Sequence, residues 1–340
     1  MHDPKTIAGL FPIGVVRQIK EIKSGLMHST YLVHSDAGRF TLQRLHQKLS
    51  TPEIIGDYEA VTRYLYKKQV PAPCLIRTRD DQPVHVDEAG RWWRLASWVP
   101  GKTPNKVQNT LQAEQGARAL GRFHRVMVDF QHEFASQHPL HDTDAHLANL
   151  HGTLARPELA HFGTEIESEI HTILETLPTL LLPTTLPLRV VHGDPKISNV
   201  LFEGSSAIGL IDLDTCNRHT VLVDLGDAIR SWCRDGSEDE EQHFQLDRFE
   251  AMMRGYAAEG LPLTVEERNH LAQAGRLITL ELASRFARDV MEDEYFAFDS
   301  EKYSSRRAHN CARTRAMLFL ADDMHRHGTQ MEKLINKYLV

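Results

Sequence analysis

Residues 190–202 read VVHGDPKISNVLF, two apolar runs closing around a polar insert that carries a histidine, an aspartate, a lysine and an asparagine. Short apolar runs bounded by turn chemistry predict buried strands, so the polar groups between them sit on a tightly held loop. His192, Asp194 and Asn199 form the pattern H-x-D-x-x-x-x-N, and a later apolar run, Ile208-Gly-Leu-Ile, delivers Asp212. That set suits phosphoryl transfer from a nucleotide. An aspartate on a loop orients the attacking hydroxyl and accepts its proton, while an asparagine and a second aspartate hold Mg2+ against the phosphates. A lone H-G-D is common and Asp-Pro often marks only a turn. The combination with flanking strands and the Asp212 run is what carries the reading.

Composition narrows the class further. With 340 residues the chain is long enough for two lobes around a cleft. Lys+Arg 39 against Asp+Glu 46 gives a net charge of -7, and no long basic run points to nucleic acid. Cys74, Cys216, Cys233 and Cys311 are scattered without a C-x-x-C pair, as expected of reduced thiols in a cytoplasmic protein. The start, MHDPKTIAGLFPIGVV, has no basic segment followed by an apolar one, and no apolar run approaches a membrane span.

Along the first hundred residues, short apolar runs alternate with turn residues. Strands are expected near 30–33 and 40–45, joined by His34-Ser-Asp-Ala-Gly38 and preceded by a turn at Ser24-Gly25. Thr51-Pro52-Glu53 then opens a helix expected to run to about residue 68. Two more strands, near 83–86 and 92–99, end at Pro100-Gly101. Helical periodicity follows from Leu111, at 165–177, 241–255, 265–290 and 304–325, interrupted by the strand-like stretch 188–211. Ser237-Glu-Asp-Glu-Glu reads as a solvated acidic helix start. The expected fold is therefore α+β and bilobal, a β-rich N-terminal lobe over residues 1–100 and a mainly helical C-terminal lobe over 101–340.

The Asp-to-Asn spacing in the loop matches that of the protein-kinase catalytic loop. With IDLDT at 211–215, the whole resembles the aminoglycoside phosphotransferase and choline kinase superfamily, which has a protein-kinase-like fold. Within it, HGDPKISNVLF, GRFTLQRLHQ, SGLMHSTYLV and the late ELASRFARDVMEDEYF and RRAHNCARTRAML resemble the branch of N-acetylhexosamine 1-kinases. The resemblance covers nearly the whole chain. It implies ATP and Mg2+ as cofactors and a small-molecule hydroxyl as acceptor. The acceptor it favours is the anomeric hydroxyl of a sugar such as an N-acetylhexosamine; aminoglycoside, choline and homoserine are alternatives.

Carried onto this chain, Asp194 is the catalytic base and Asn199 and Asp212 hold the metal. Lys196 stabilises the moving phosphoryl group, and His192 braces the loop. The resemblance places adenine against Thr41 and the hinge at Trp98 and Val99, with Gln43 and Arg44 on the phosphate side. Asp214 would touch metal or acceptor, or be no more than a charged strand-end residue, and Arg285 and Tyr295 would touch the acceptor. Against those last two stands the spacing of Glu281, Arg285 and Asp289, which also suits a salt-bridge ladder on a solvated helix face. Asp224, in VLVDLGDAIR, is expected to support the loop or cap a helix.

Two departures stand out. Protein kinases place a lysine on the third strand; here FTLQ puts Gln43 there, followed by Arg44. Glu59 is read as an exposed helix acid or, in the place of the kinase helix glutamate, as one whose partner must be Arg44 or a water. His28 stands where the branch carries other polar residues, as a hydrogen-bond donor or as one of 20 histidines without a role. The missing lysine motivates a competing reading, a nucleotide-binding protein without turnover.

Overall fold

Strand alternation organises the first lobe of the computed structural model, which describes residues 3–22, 28–136, 140–259 and 261–339 apart from the Lys48 side chain. A short helix α1 (Pro4–Ala8) leads into the meander β1 (Val16–Ile22), β2 (Ser29–Ser35) and β3 (Gly38–Arg44). The expected turn at Ser24-Gly25 lies outside the described residues. After helix α2 (Pro52–Lys67) come β4 (Leu75–Ile76), β5 (His85–Val86) and β6 (Trp92–Ser97). The antiparallel sheet runs β1-β2-β3-β6-β4, with β5 also on β6. Successive side chains point to opposite faces. Val33, Leu42, Trp93 and Leu95 therefore share one face, packed under Ile7, Phe11 and Ile13 from the N-terminal segment. Gln43 and Arg94 lie directly opposite each other in the β3–β6 register, on the other face.

Helix α2 starts as its sequence demands: the Thr51 hydroxyl accepts the Ile54 N–H, Pro52 takes the first position, and Glu53 sits in the first turn. Its buried residues Tyr58, Val61 and Leu65 belong to the core of the C-terminal lobe, not to the cluster under the sheet. α2 thus joins the lobes by burial as well as by chain connection.

The C-terminal lobe begins with α3 (Thr110–Met127), α4 (Thr143–Leu154), α5 (Pro157–Ala160) and α6 (Glu167–Thr176). Four short strands follow: β7 (Arg189–Val191), β8 (Val200–Glu203), β9 (Ser206–Leu210) and β10 (Asn217–His219). They pair as two antiparallel ribbons, β7 with β10 and β8 with β9. Helices α7 (Val221–Trp232), α8 (Leu246–Ala257), α9 (Val265–Glu292), α10 (Arg306–Arg326) and α11 (Gly328–Tyr338) complete the fold. α9 opens on a reciprocal Thr264–Glu267 capping box. No described helix is long and apolar enough to cross a membrane.

The acidic run after Ser237 corrects its expected role: it forms a turn, and the next helix starts only at Leu246. Its carboxylates are spoken for. Glu238 pairs with Arg230 at 2.8 Å, and Asp239 accepts from Tyr303 at 2.9 Å and pairs with Lys302 at 3.0 Å. At the junction between lobes, Lys102 and Phe202 exchange backbone hydrogen bonds of 2.9 and 2.8 Å, docking the segment after Pro100-Gly101 onto β8.

Candidate active site

Between β7 and β8 the backbone turns sharply at Gly193, whose φ is 85°. A Cβ there would meet the Thr215 carbonyl oxygen at 2.5 Å, so only glycine fits. The loop is then pinned from below. Asp224, in the first turn of α7, accepts the N–H groups of His192 at 2.6 Å and Gly193 at 2.8 Å. His124 Nε2 lies 2.9 Å from the same carboxylate, and its Nδ1 lies 2.9 Å from the Tyr256 hydroxyl. His192 is fully buried and its tautomer follows from its partners. Nδ1 accepts the Asp194 N–H at 3.3 Å, so Nε2 carries the proton and donates to the Ile211 carbonyl at 2.9 Å. His192 braces the loop and does not reach into it. Trp232 Nε1 closes the far side by donating to the Pro195 carbonyl at 3.0 Å.

Asp194 emerges from this frame with its side chain 19% exposed, ion-paired with Lys196 at 2.5 Å. Burial pushes its pKa up; Lys196 opposes that shift, while the charges of Asp227 and Asp212 add to it. For Lys196, burial alone would lower the pKa, but Asp194 and Asp212 more than reverse it, so the ammonium stays charged. Asn199 donates its amide nitrogen to the Asp194 carbonyl at 2.8 Å. The Ile211 N–H then bonds the Asn199 carbonyl at 2.9 Å, which brings the next residue, Asp212, alongside the loop. Asp212 adopts the left-handed region, φ 65° and ψ 53°, rare for a residue with a side chain. Among the described residues its carboxylate has no hydrogen-bond partner.

His28, Asp212 and Asp214 offer ligand atoms within 4.8 Å of one another. Chemistry separates the three. His28 Nδ1 accepts the His46 N–H at 3.0 Å, which puts the proton on Nε2 and makes that atom a donor, not a ligand. Both Asp214 oxygens are held by Arg94, at 2.5 and 2.8 Å. The unpartnered Asp212 carboxylate and the Asn199 side-chain oxygen are the hard oxygen donors left. They fit a Mg2+ that takes one or two protein ligands and completes its shell with phosphate and water.

On the sheet side, Thr41 and Gln43 share the face turned towards this site. Arg44, expected with them, is corrected by alternation: it lies on the opposite face and donates to Ser29 Oγ at 2.7 Å. Glu59 is corrected as well, pairing with Arg77 at 2.8 Å and Arg63 at 2.5 Å and not with Arg44. Trp98 and Val99 follow β6, both half-buried, with the Trp98 N–H on the Arg39 carbonyl at 3.2 Å. The residue that sequence reasoning missed is Arg94. It is 1% exposed, donates to Gln43 Oε1 at 2.8 Å, grips Asp214, and lies over the Tyr58 ring at 3.7 Å. An arginine inside the apolar strand WWRLAS was the available signal, since an interior charge requires a partner.

Asp214 was expected against metal or acceptor; its side chain is instead 2% exposed and committed to Arg94. Burial alone would raise its pKa, and the guanidinium holds it well below the usual carboxylate range. The expected Glu281–Arg285–Asp289 ladder does not form. Glu281 turns inward to His141 at 2.8 Å and Thr143 at 2.6 Å. Asp289 caps the backbone N–H groups of residues 294–296 and binds Asn310. Arg285 is left half-buried, its guanidinium 5.9 Å from the Tyr295 ring and 5.7 Å from that of Phe296. Asp227, one turn beyond Asp224, was also missed. It is 3% exposed, accepts from Arg230 on Oδ1 at 2.8 Å, and has no partner for Oδ2 among the described residues.

Comparison with known proteins decides the family: the model of the phosphotransferase enzyme family matches residues 18–278. The chain belongs to that family. This phosphotransferase is 30% identical over 259 residues to the homoserine kinase of Zymomonas mobilis subsp. mobilis, covering 75% of this chain and 76% of that protein. Among solved structures, an aminoglycoside phosphotransferase from Alicyclobacillus acidocaldarius superposes with a TM-score of 0.65 at 13% identity, covering 99% of this chain and 97% of that one. A microcompartment-associated aminopropanol kinase gives 0.63 at 16% identity, covering 96% and 97%. A spectinomycin phosphotransferase, solved with ADP and spectinomycin, gives 0.64 at 12% identity, covering 97% and 99%. The bilobal kinase-like fold and the superfamily expected from the catalytic loop are thus established, and the protein is a small-molecule kinase acting on a hydroxyl group.

Proposed function

We propose that the protein transfers the γ-phosphoryl group of ATP, with Mg2+, to a hydroxyl of a small neutral sugar such as an N-acetylhexosamine. The reading rests above all on one arrangement: Asp194, Lys196 and Asn199 interlocked on one loop beside the unpartnered carboxylate of Asp212. Asp194 accepts the proton of the attacking hydroxyl, and Lys196 stabilises charge on the moving group. Asn199 and Asp212 would hold Mg2+, which neutralises charge on the phosphates as the bond breaks. The nucleotide would lie between residues 1–100 and 101–340, along Thr41 and the Trp98-Val99 segment.

For the acceptor, the Asp227 carboxylate lies close enough to Asp194 for its charge to push that carboxyl up, and its buried Oδ2 has no partner among the described residues. Because Arg230 already neutralises Asp227, the free oxygen suits a hydroxyl or amide N–H of a neutral molecule. Arg285, with no carboxylate partner among the described residues, would donate from the other side. No aromatic cage of the kind that binds choline adjoins Asp194 among the described residues. A second reading, an amino alcohol such as homoserine, is favoured by the similarity to homoserine kinases; there Asp227 would take the ammonium and Arg285 the carboxylate.

The test is ADP release with N-acetylhexosamines, hexoses, homoserine, aminopropanol, aminoglycosides and choline, with Asp194→Asn as control. Turnover with a sugar, abolished in the control, supports the first reading, and turnover with homoserine alone replaces it by the second. Nucleotide binding without turnover on any acceptor would favour a binding protein without catalysis. Asp227→Asn sharpens the choice, costing about tenfold in kcat/KM for a neutral acceptor and more for a cationic one, whose bond to the carboxylate is charge-assisted.

A further inference from the structure

We propose that Arg94 is a positioning residue that sets the metal ligand Asp212 from the opposite lobe, taking over from the absent strand lysine the task of joining sheet to catalytic machinery. The inference rests on the phosphoryl-transfer reading and concerns how its metal site is built. Arg94 sits on β6, cross-strand from Gln43, where a kinase would carry its lysine. A neutral glutamine supplies no charge, and Arg44 faces away. The buried cation of this region comes from the neighbouring strand.

The geometry points to positioning and not to phosphate binding. Nε and Nη2 both reach Gln43 Oε1, at 3.3 and 2.8 Å, while Nη1 and Nη2 take the two Asp214 oxygens. One guanidinium face is covered by Tyr58. Its directional capacity is nearly used up inside the protein, and its charge is matched by Asp214. What it controls is the turn Leu213–Thr215, which starts at Asp212. Contacts on both sides hold Asp212 in its left-handed conformation. On one side Ile211 is tied to Asn199 and His192; on the other Asp214 is tied to Arg94, and the Thr215 hydroxyl to the His192 carbonyl at 2.8 Å. Arg94 is the only member of this set that comes from the sheet, so it makes the aim of Asp212 depend on how the lobes sit. It also keeps Asp214, whose ligand atom lies within 4.8 Å of that of Asp212, from competing for the cation.

The experiment is Mn2+ binding, read by electron paramagnetic resonance, to the full-length protein with the non-hydrolysable nucleotide AMP-PNP. No acceptor is needed. Arg94→Lys keeps the charge and loses the two-pronged grip, and Asp214→Asn removes the other partner. Each is expected to weaken Mn2+ binding by about tenfold, the low end of what residues behind metal ligands contribute. The Arg94→Lys/Asp214→Asn double variant should be no weaker than the worse single, because both act through one contact. AMP-PNP affinity without metal should not move. Circular dichroism checks that each variant is folded; should Arg94→Lys fail to fold, Asp214→Asn carries the test alone. Wild-type Mn2+ binding with unchanged affinity in the folded variants would overturn the inference. So would loss of metal-free AMP-PNP binding in Arg94→Lys, which would make Arg94 a phosphate contact. Absence of Mn2+ binding in the wild type would instead sink the phosphoryl-transfer reading itself.

Discussion

The loop at residues 192–199 and the Arg94 cluster are both polar constructions flanking the turn at Asp212, yet they are assembled in opposite ways. In the loop, His192, Asp194, Lys196 and Asn199 lie within eight positions, and their spacing already sets which groups meet. In the cluster, Gln43, Tyr58, Arg94 and Asp214 come from β3, α2, β6 and the turn after β9, and the Arg94–Asp214 pair closes only when both lobes have formed. A local site tolerates small errors in lobe placement. A dispersed one reports them. The proposed metal ligands stand between the two, with Asn199 on the loop and Asp212 on the turn that Arg94 grips.

The largest effect expected lies in the local site. Asp194→Asn preserves shape and the hydrogen bond from Lys196 but removes the proposed base, so turnover should fall by about a thousandfold. Calorimetry should show nucleotide binding retained. Near-normal turnover in that variant would mean that another group takes the proton and that the loop's compact spacing is only structural.

The second prediction asks how local the loop really is. Asp224 satisfies two buried backbone N–H groups and faces His124, yet it comes from α7, far along the chain. Asp224→Ala strands these donors, and at about 1–3 kcal/mol for each unsatisfied group the unfolding free energy should drop by roughly 3 kcal/mol or more. Urea unfolding at neutral pH measures it. A drop below about 1 kcal/mol, the scale of a single ordinary hydrogen bond, would show that β7 and β8 hold the loop without help.

These two regions also mark where the sequence was readable. The loop and the Thr51 cap of α2 follow from motifs in which partners or caps lie close by, while the Asp224 support, distant in sequence, follows from the family resemblance. Arg94 could be flagged only as a charge inside an apolar strand; that its partner would be Asp214 depends on lobe packing. The same limit explains the failed ladder on α9. Spacing of four residues brings Glu281, Arg285 and Asp289 onto one face, but that face is buried. His141, Thr143 and Asn310, from distant segments, claim the carboxylates instead. Helix α7 escaped notice for a related reason. Its polar residues Asp224, Asp227 and Arg230 do recur at helical spacing, but that face is itself buried, so it does not read as a solvated helix stripe.

The smallest effect is a shift in a pH profile, and its sign distinguishes the loop from its surroundings. As the proposed base, Asp194 works only when ionised, so kcat/KM is expected to fall on the acid side as it gains a proton. Burial, Asp227 and Asp212 raise its pKa, and the limb should lie above the ordinary aspartate value of about 3.9. Lys196 opposes the rise, so Lys196→Met should move the limb to higher pH even though the rate also falls. Asp227 adds to the rise, so Asp227→Asn should move the limb to lower pH. Initial rates with the identified acceptor, at fixed free Mg2+, measure both. Opposite displacements assign the limb to Asp194 in its field of three charged neighbours. Displacements in one direction would assign it to another group, and the proton acceptor would then have to be sought outside the loop.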